Sequence, residues 1–271
     1  MGQYYEVISE PLMQWVKQQK MFWVSTAPLS GDGHVNVSPK GGLYFGLVDN
    51  KTFWYMDLSG SGNETISHLY EPGNGRITIM LNAFEGPPRI LRLFGRGRVL
   101  ESWTPAFADF VKKHDVQTLA GSRSIIIVDI HQVNTSCGFS VPVYDFKEFR
   151  TTLNDYYERK AERFAQGKEH ESMERNWALK NLVSIDGLPG LEIARKVAKE
   201  QGITPTKKMV GPMAPDHYYN DKRFSLNHLY LVAVSTMLIT VVLIAASSLF
   251  TVPAGLSVPK NLLYSPSNAN Y

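Results

Sequence analysis

From Leu229 to Val252 the chain runs for 24 residues without a charge, LYLVAVSTMLITVVLIAASSLFTV. Wound as a helix this stretch is about 36 Å long, at ~1.5 Å per residue, and exceeds the ~30 Å hydrocarbon core of a bilayer. Thirteen of the 24 are Leu, Ile, Val or Phe, each favouring insertion by roughly 0.3–0.6 kcal/mol. Six Ser and Thr residues oppose this, although their hydroxyls can bond back to the helix's own carbonyls. Pro253 and Gly255 stand where such a helix should stop. The competing reading, a buried core helix, is disfavoured by the length and the missing polar face. The expectation is one transmembrane helix over 229–252.

The flanks orient it. Lys207, Lys208, Lys222 and Arg223 precede the segment and only Lys260 follows it, so the large N-terminal part is expected in the cytosol. Met1–Glu6 has no apolar stretch of the signal-peptide kind. These features describe a single-pass, tail-anchored membrane protein with a short tail at 253–271.

The remainder has the composition of a folded domain. Over 271 residues the chain is 44% apolar and 20% charged, which argues against a disordered, a collagen-like or a polytopic membrane chain. One cysteine, Cys137, excludes an internal disulfide framework and any multi-cysteine zinc site. A net charge of +3 is too small to make nucleic acid the main partner.

Residues 1–145 read as a β-rich domain. Met21–Ala27 is an aromatic and β-branched run closed by Pro28 and Ser30-Gly-Asp-Gly33. His34–Ser38 alternates, with Val35 and Val37 on one face and Asn36 and Ser38 on the other. Further strands are expected at 52–56, 76–81, 89–94, 97–101 and 124–130. Short strands joined by Gly-rich turns predict an antiparallel barrel or sandwich. Helices are expected near 11–20, with Leu12, Trp15 and Val16 inward, and at 64–70 and 105–112; Ser61 or Asn63 would cap the second. A charge-rich helical extension follows at 146–201, centred on 155–164 and ending in a helix near 191–201. Residues 202–228, with Pro205, Pro212 and Pro215, read as a loose linker.

Three places could carry chemistry. In Asp57-Leu-Ser-Gly-Ser-Gly-Asn-Glu-Thr65 a strand gives way to a Gly/Ser turn and then a helix. Backbone N–H groups there, with the Ser59, Ser61 and Thr65 hydroxyls, could hold a phosphate; an ordinary capped turn is the plainer alternative. Lys40, Arg76, Arg89, Arg92, Arg96 and Arg98 lie on neighbouring strands. Arginine suits phosphate or carboxylate, yet most of these read as a solvated exterior paired with Glu85 and Glu101. Cys137 lacks a His–Asn pattern for a nucleophile and is expected to be buried or pocket-lining. The seven histidines show no metal-ligand spacing, though His34 and His131 could approach a pocket.

Four stretches, taken in order, carry a resemblance: FWVSTAPLSGDGHVNVSPKGG (22–42), FWYMDLSGSGNETISHL (53–69), GRITIMLNAFEGPPRILRLFGRGRV (75–99) and TSCGFSVP (135–142). Together they resemble the pyridoxamine 5′-phosphate oxidase-like, flavin-binding split-barrel family. The resemblance implies a mainly β, α+β fold, an antiparallel split β-barrel with peripheral helices, and a homodimer with FMN in the groove between two barrels. It also implies that Asn36, Val37, Ser38 and Lys40 lie along the flavin and reach its phosphate. Tyr55, Asp57, Ser59, Ser61 and Gly62 match the segment on the phosphate side, and Arg89 matches the strand facing the flavin edge. The Arg-Lys pair of true pyridoxamine phosphate oxidases is replaced here by Ser61-Gly62, and some relatives take deazaflavin or haem instead. The expectation is a membrane-tethered FMN-dependent oxidoreductase acting on a small molecule, or a tethered flavin or haem carrier without turnover. No residue is assigned as catalytic, because the flavin ring itself carries the electron chemistry.

Overall fold

Buried and part-covered residues alternate along Met21–Thr26, so Phe22, Val24 and Thr26 face one way. The computed structural model describes residues 2–212, 214 and 226–249, the last stretch with side chains from 233 to 244. In it, eight strands pair antiparallel throughout. They are β1 (Gln3–Tyr5), β2 (Met21–Thr26), β3 (Asn36–Gly41), β4 (Phe45–Leu47), β5 (Thr52–Leu58), β6 (Arg76–Asn82), β7 (Ile90–Glu101) and β8 (Ser122–Ser136). The order along the sheet is β3-β2-β6-β7-β8-β5-β4, with β1 added beside β8.

The sheet curls on itself. Although β2 and β5 stand four places apart in that order, the Phe22 ring lies 5.3 Å from those of both Phe53 and Tyr55, and 4.7 Å from Phe45 of β4. Inside the curl Val24, Ile79, Leu81, Leu91, Leu93, Ile126 and Val128 are fully buried, each contributing roughly 1.5–3 kcal/mol of apolar burial. Two expected strands, 89–94 and 97–101, are one twelve-residue strand. The expected break between them is instead a bulge at Gly95 against β8. A Cβ there would fall 2.7 Å from the Asp129 carbonyl oxygen, so glycine permits the close approach of the two strands.

The helices are α1 (Glu10–Gln18), α2 (Glu64–Tyr70), α3 (Pro105–Lys113), α4 (Thr152–Ala165), α5 (Met173–Lys180), α6 (Glu192–Gln201) and α7 (Leu226–Leu249). Leu12 and Val16 of α1 are buried, with Trp15 packed at their edge. Neither expected cap closes α2. The Asn63 amide donates to the Ser67 hydroxyl, while its backbone N–H donates to the Glu64 carboxylate.

The boundary expected at 145/146 does not separate two bodies, since residues 1–218 form one unit. Trp177 of α5, Leu191 and Ala194 belong to the same buried cluster as the barrel strands. Glu101, expected among exterior ion pairs, is instead buried at the end of β7. Its carboxylate accepts from the Tyr70 hydroxyl, the Trp103 indole and the N–H groups of Glu192 and Ile193, and so caps α6 from the barrel side. Residues after α6 are not wholly loose: Thr206 N–H donates to the Leu179 carbonyl, and the Lys208 amine is buried.

The second unit contains α7, whose backbone is helical over 24 residues. Among the described residues no helix is long and apolar enough to cross a membrane, so the transmembrane helix expected over 229–252 is not found there. Residues 250–252 of the expected span, the 253–271 tail and most of the linker's end lie outside the described residues.

Gly190 marks where the extension meets the barrel loop, for an added Cβ would lie 2.1 Å from the Asn181 carbonyl oxygen and 2.2 Å from Asn63 Nδ2. Gly190→Ala is therefore expected to lower stability by about 1–3 kcal/mol, measured by urea unfolding of the full chain in detergent. An unchanged midpoint would show that this junction carries no packing constraint.

Candidate cofactor site

Residues 36, 38 and 40 share one face of β3, and that face is the half-covered one. Asn36 Nδ2 donates to Thr65 Oγ1 (3.0 Å) and Thr26 Oγ1 (3.3 Å), and Ser38 Oγ donates to Asn36 Oδ1 (3.0 Å). Lys40 Nζ donates to Asp57 Oδ1 at 2.9 Å. Since β3 begins the sheet order and β5 lies near its other end, this ion pair bridges the open side of the curl. Val37 belongs to the opposite face and is exposed.

Asp57 is fully buried and holds a second cation. Arg123 Nε donates to its Oδ2 at 2.7 Å, and Arg123 Nη1 donates to the Gly62 carbonyl at 2.8 Å. Burial alone would raise the Asp57 carboxyl, but the charges and hydrogen bonds of Arg123 and then Lys40 outweigh it and hold the group at about 2. Next to it the Tyr55 ring is buried under Lys40, 5.9 Å from the ammonium. Burial, reinforced by the Asp57 charge, pushes that phenol well above its usual range.

The loop after β5 is half closed and half open. Ser59 is buried, its hydroxyl accepting from the Trp177 indole N–H at 2.7 Å. Asn181 Nδ2 donates to the Gly60 carbonyl at 2.9 Å. Ser61 and Gly62 are exposed. Among the described residues, the N–H groups of Gly60, Ser61 and Gly62 and the Ser61 hydroxyl are engaged by no hydrogen bond. The start of α2 is already supplied with a carboxylate: Glu64 accepts from Asn63 N–H at 2.8 Å and from Ile185 N–H at 3.3 Å. The donors free for a phosphate are thus those of the loop, not of the helix.

Other expected members lie elsewhere. Arg89 places its guanidinium 5.5 Å over the Trp15 ring. Arg76 donates to Asn74 Oδ1 and the Pro28 carbonyl, Arg92 to Asn134 and Ser136, Arg96 to the Asn74 carbonyl, and Arg98 pairs with Asp129. None of these is held by Glu85 or Glu101. Cys137, expected to be buried or pocket-lining, is exposed because it follows the last residue of β8 as the chain leaves the sheet. His34 Nδ1 lies 2.5 Å from Asp186, and His131 lines an outer concavity of about 330 Å³ with Ser25, Arg76, Thr78 and Phe94.

An antiparallel sheet curled around one core, its open side tied by a polar cluster beside a Gly/Ser loop, defines a split barrel. The family model described as pyridoxamine 5′-phosphate oxidase matches residues 8–137. A curated relative, the pyridoxamine 5′-phosphate oxidase family protein ustO of Aspergillus flavus, is 40% identical over 204 residues, covering 71% of this chain and 79% of that one. The chain belongs to the pyridoxamine 5′-phosphate oxidase family. Similar solved structures include HupZ of Group A Streptococcus (18% identity, TM-score 0.36, 46% of this chain and 92% of that one). Another is the FAD binding protein of Mycobacterium smegmatis (13% identity, TM-score 0.34, 49% and 97%).

The Asp57 carboxyl is more acidic folded than its ordinary value of 3.8. Its stabilising contribution is therefore complete above pH 4 and lost as pH falls toward 2, to the extent of about 2–3 kcal/mol. Asp57→Asn should remove this part of the acid dependence while costing about 3–5 kcal/mol at pH 7, because Arg123 stays buried without its counter-charge. Denaturant unfolding from pH 2 to 7 measures both.

Proposed function

We propose that this chain is a flavin-binding, oxidoreductase-like protein that takes FMN, pairs with a second copy of itself and is held at a membrane by α7. The observation that carries the reading is the juxtaposition on the open side of the barrel. Asn36, Ser38 and Lys40 line one face of β3, beside a loop with unengaged N–H groups at Gly60–Gly62 and an exposed Ser61. These are the donor types that suit a phosphate and the polar edge of a ring. Lys40 would serve the ring or its phosphate while Asp57 fixes the ammonium in place, and Ser61 with its neighbouring N–H groups would receive phosphate oxygens. When bound, a flavin supplies hydride or single-electron transfer.

Val35 and Val37 are 69% and 61% exposed at the sheet's edge, an apolar surface that a second copy would cover. In α7 every described side chain from 233 to 244 is exposed, with Met237, Leu238, Ile239, Val241, Val242, Leu243 and Ile244 pointing to all sides. An apolar surface all round a helix belongs in lipid or protein rather than in water. The full chain is expected to stay with membranes through alkaline carbonate extraction, and a chain lacking 226–249 to be released. Release of the full chain would refute membrane insertion.

One observation favours a carrier without turnover: Lys40 is already matched by Asp57. The two readings separate by spectrum. Purified full chain in detergent is expected to show flavin bands near those of free FMN, bleached by NAD(P)H if the protein turns over and unchanged if it is a carrier. Lys40→Ala combined with Ser61→Ala should lose most of the chromophore, and light scattering should report twice the protomer mass beyond the detergent. Colourless protein that takes up no added FMN would refute the flavin reading.

A further inference from the structure

A buried ammonium that donates to nothing is costly, since desolvation is not offset by hydrogen bonds. Lys208, on the segment following α6, is in that position. Its Nζ is shielded from solvent and, among the described residues, lies within hydrogen-bond distance of no acceptor. The carboxylate paired with it, Glu64 Oε1, is 3.7 Å away, beyond hydrogen-bond reach. Burial, with the Arg123 charge nearby, pulls the Lys208 amine below the usual lysine range, and Glu64 acts in the opposite sense.

Lys208 joins the cluster already described rather than forming a separate one. Glu64 contacts Asn63 N–H and approaches Lys208; Arg123 contacts both Asp57 and the Gly62 carbonyl; Lys40 contacts Asp57. Three cations, Lys40, Arg123 and Lys208, therefore face two carboxylates, Asp57 and Glu64. Asp57 is saturated by two cations, and Glu64 already accepts two backbone N–H groups. The cluster as a whole keeps one net positive charge and Lys208 keeps unused donors, beside a loop whose Gly60–Gly62 N–H groups and Ser61 hydroxyl are also unengaged among the described residues. A phosphate monoester has the charge and the oxygens to satisfy both sets.

We propose that Lys208 is a ligand-binding residue of this site, its ammonium gripping the ligand's phosphate together with the Gly60–Gly62 backbone and the Ser61 hydroxyl. This rests on the reading of the site as the holder of a phosphorylated cofactor, and adds that the cation for the phosphate comes from beyond the helical extension. Glu64 then competes with the phosphate for Lys208.

The test is calorimetric titration of the full chain in detergent with three probes: FMN, riboflavin, which lacks the phosphate, and inorganic phosphate. Lys208→Met should weaken FMN and phosphate by about 10- to 100-fold and leave riboflavin unchanged. Lys208→Arg should recover most of the loss, and Glu64→Gln should tighten both phosphate-bearing probes. If the wild type binds FMN and Lys208→Met binds it equally, the inference fails and the flavin reading stands. Equal weakening of riboflavin would assign Lys208 a purely structural role and also overturn the inference. Phosphate binding that depends on Lys208, without any flavin binding, would uphold the anion grip and refute the flavin reading. Binding of neither by the wild type would overturn both.

Discussion

Asp57 is the point on which the arrangement of the candidate site turns. A carboxylate with no solvent exposure is tolerable only if its charge is answered, and here two cations from different parts of the sheet answer it: Lys40 from β3 and Arg123 from β8. Because β3 and β5 stand near opposite ends of the sheet order, satisfying this one group also draws the open side of the barrel together. Arg123 then passes the constraint onward to the loop through the Gly62 carbonyl. The position of the free loop donors is a consequence of how a buried charge is neutralised.

The barrel was largely legible from periodicity. Strands such as Met21–Thr26 and Arg76–Asn82 alternate cleanly, and their aromatic and β-branched residues point inward as the pattern requires. The errors have physical causes. The break expected between 94 and 97 is absent: Gly95 serves a bulge and Gly97 a close approach of the Leu69 side chain of α2, both within one continuous strand. The three-residue strands Gln3–Tyr5 and Phe45–Leu47 are too short to show a period. Helix Met173–Lys180 falls inside the helical extension expected over 146–201 but was not singled out, because Asn176 and Trp177 are buried on it together, against any simple amphipathic pattern.

The site was legible only on the barrel side. Asn36, Ser38, Lys40, Asp57 and the Ser59–Gly62 loop stand in two short segments, and those segments do come together. Arg123 and Lys208 were not found, because a charged residue at the start of an Ile/Val strand or in a Pro-containing linker looks like ordinary punctuation. The one available signal was negative: Asp57, in a run of otherwise buried residues, demanded a cation that its own segment does not contain. Trp177 and Asn181 were invisible for the same reason, since their partners Ser59 and Gly60 lie about 120 positions away.

The free edge of the sheet has a consequence for how copies of this molecule can meet. Among the described residues, strand β3 pairs with β2 on one side only, and it carries Pro39 at its middle. Proline has no N–H to lend an incoming strand, so a ladder extending the sheet outward would be interrupted there. Any lasting association at this edge must be side-chain to side-chain, through surfaces such as Val35 and Val37, which guards the barrel against runaway strand addition while leaving a finite, self-limiting contact open to it.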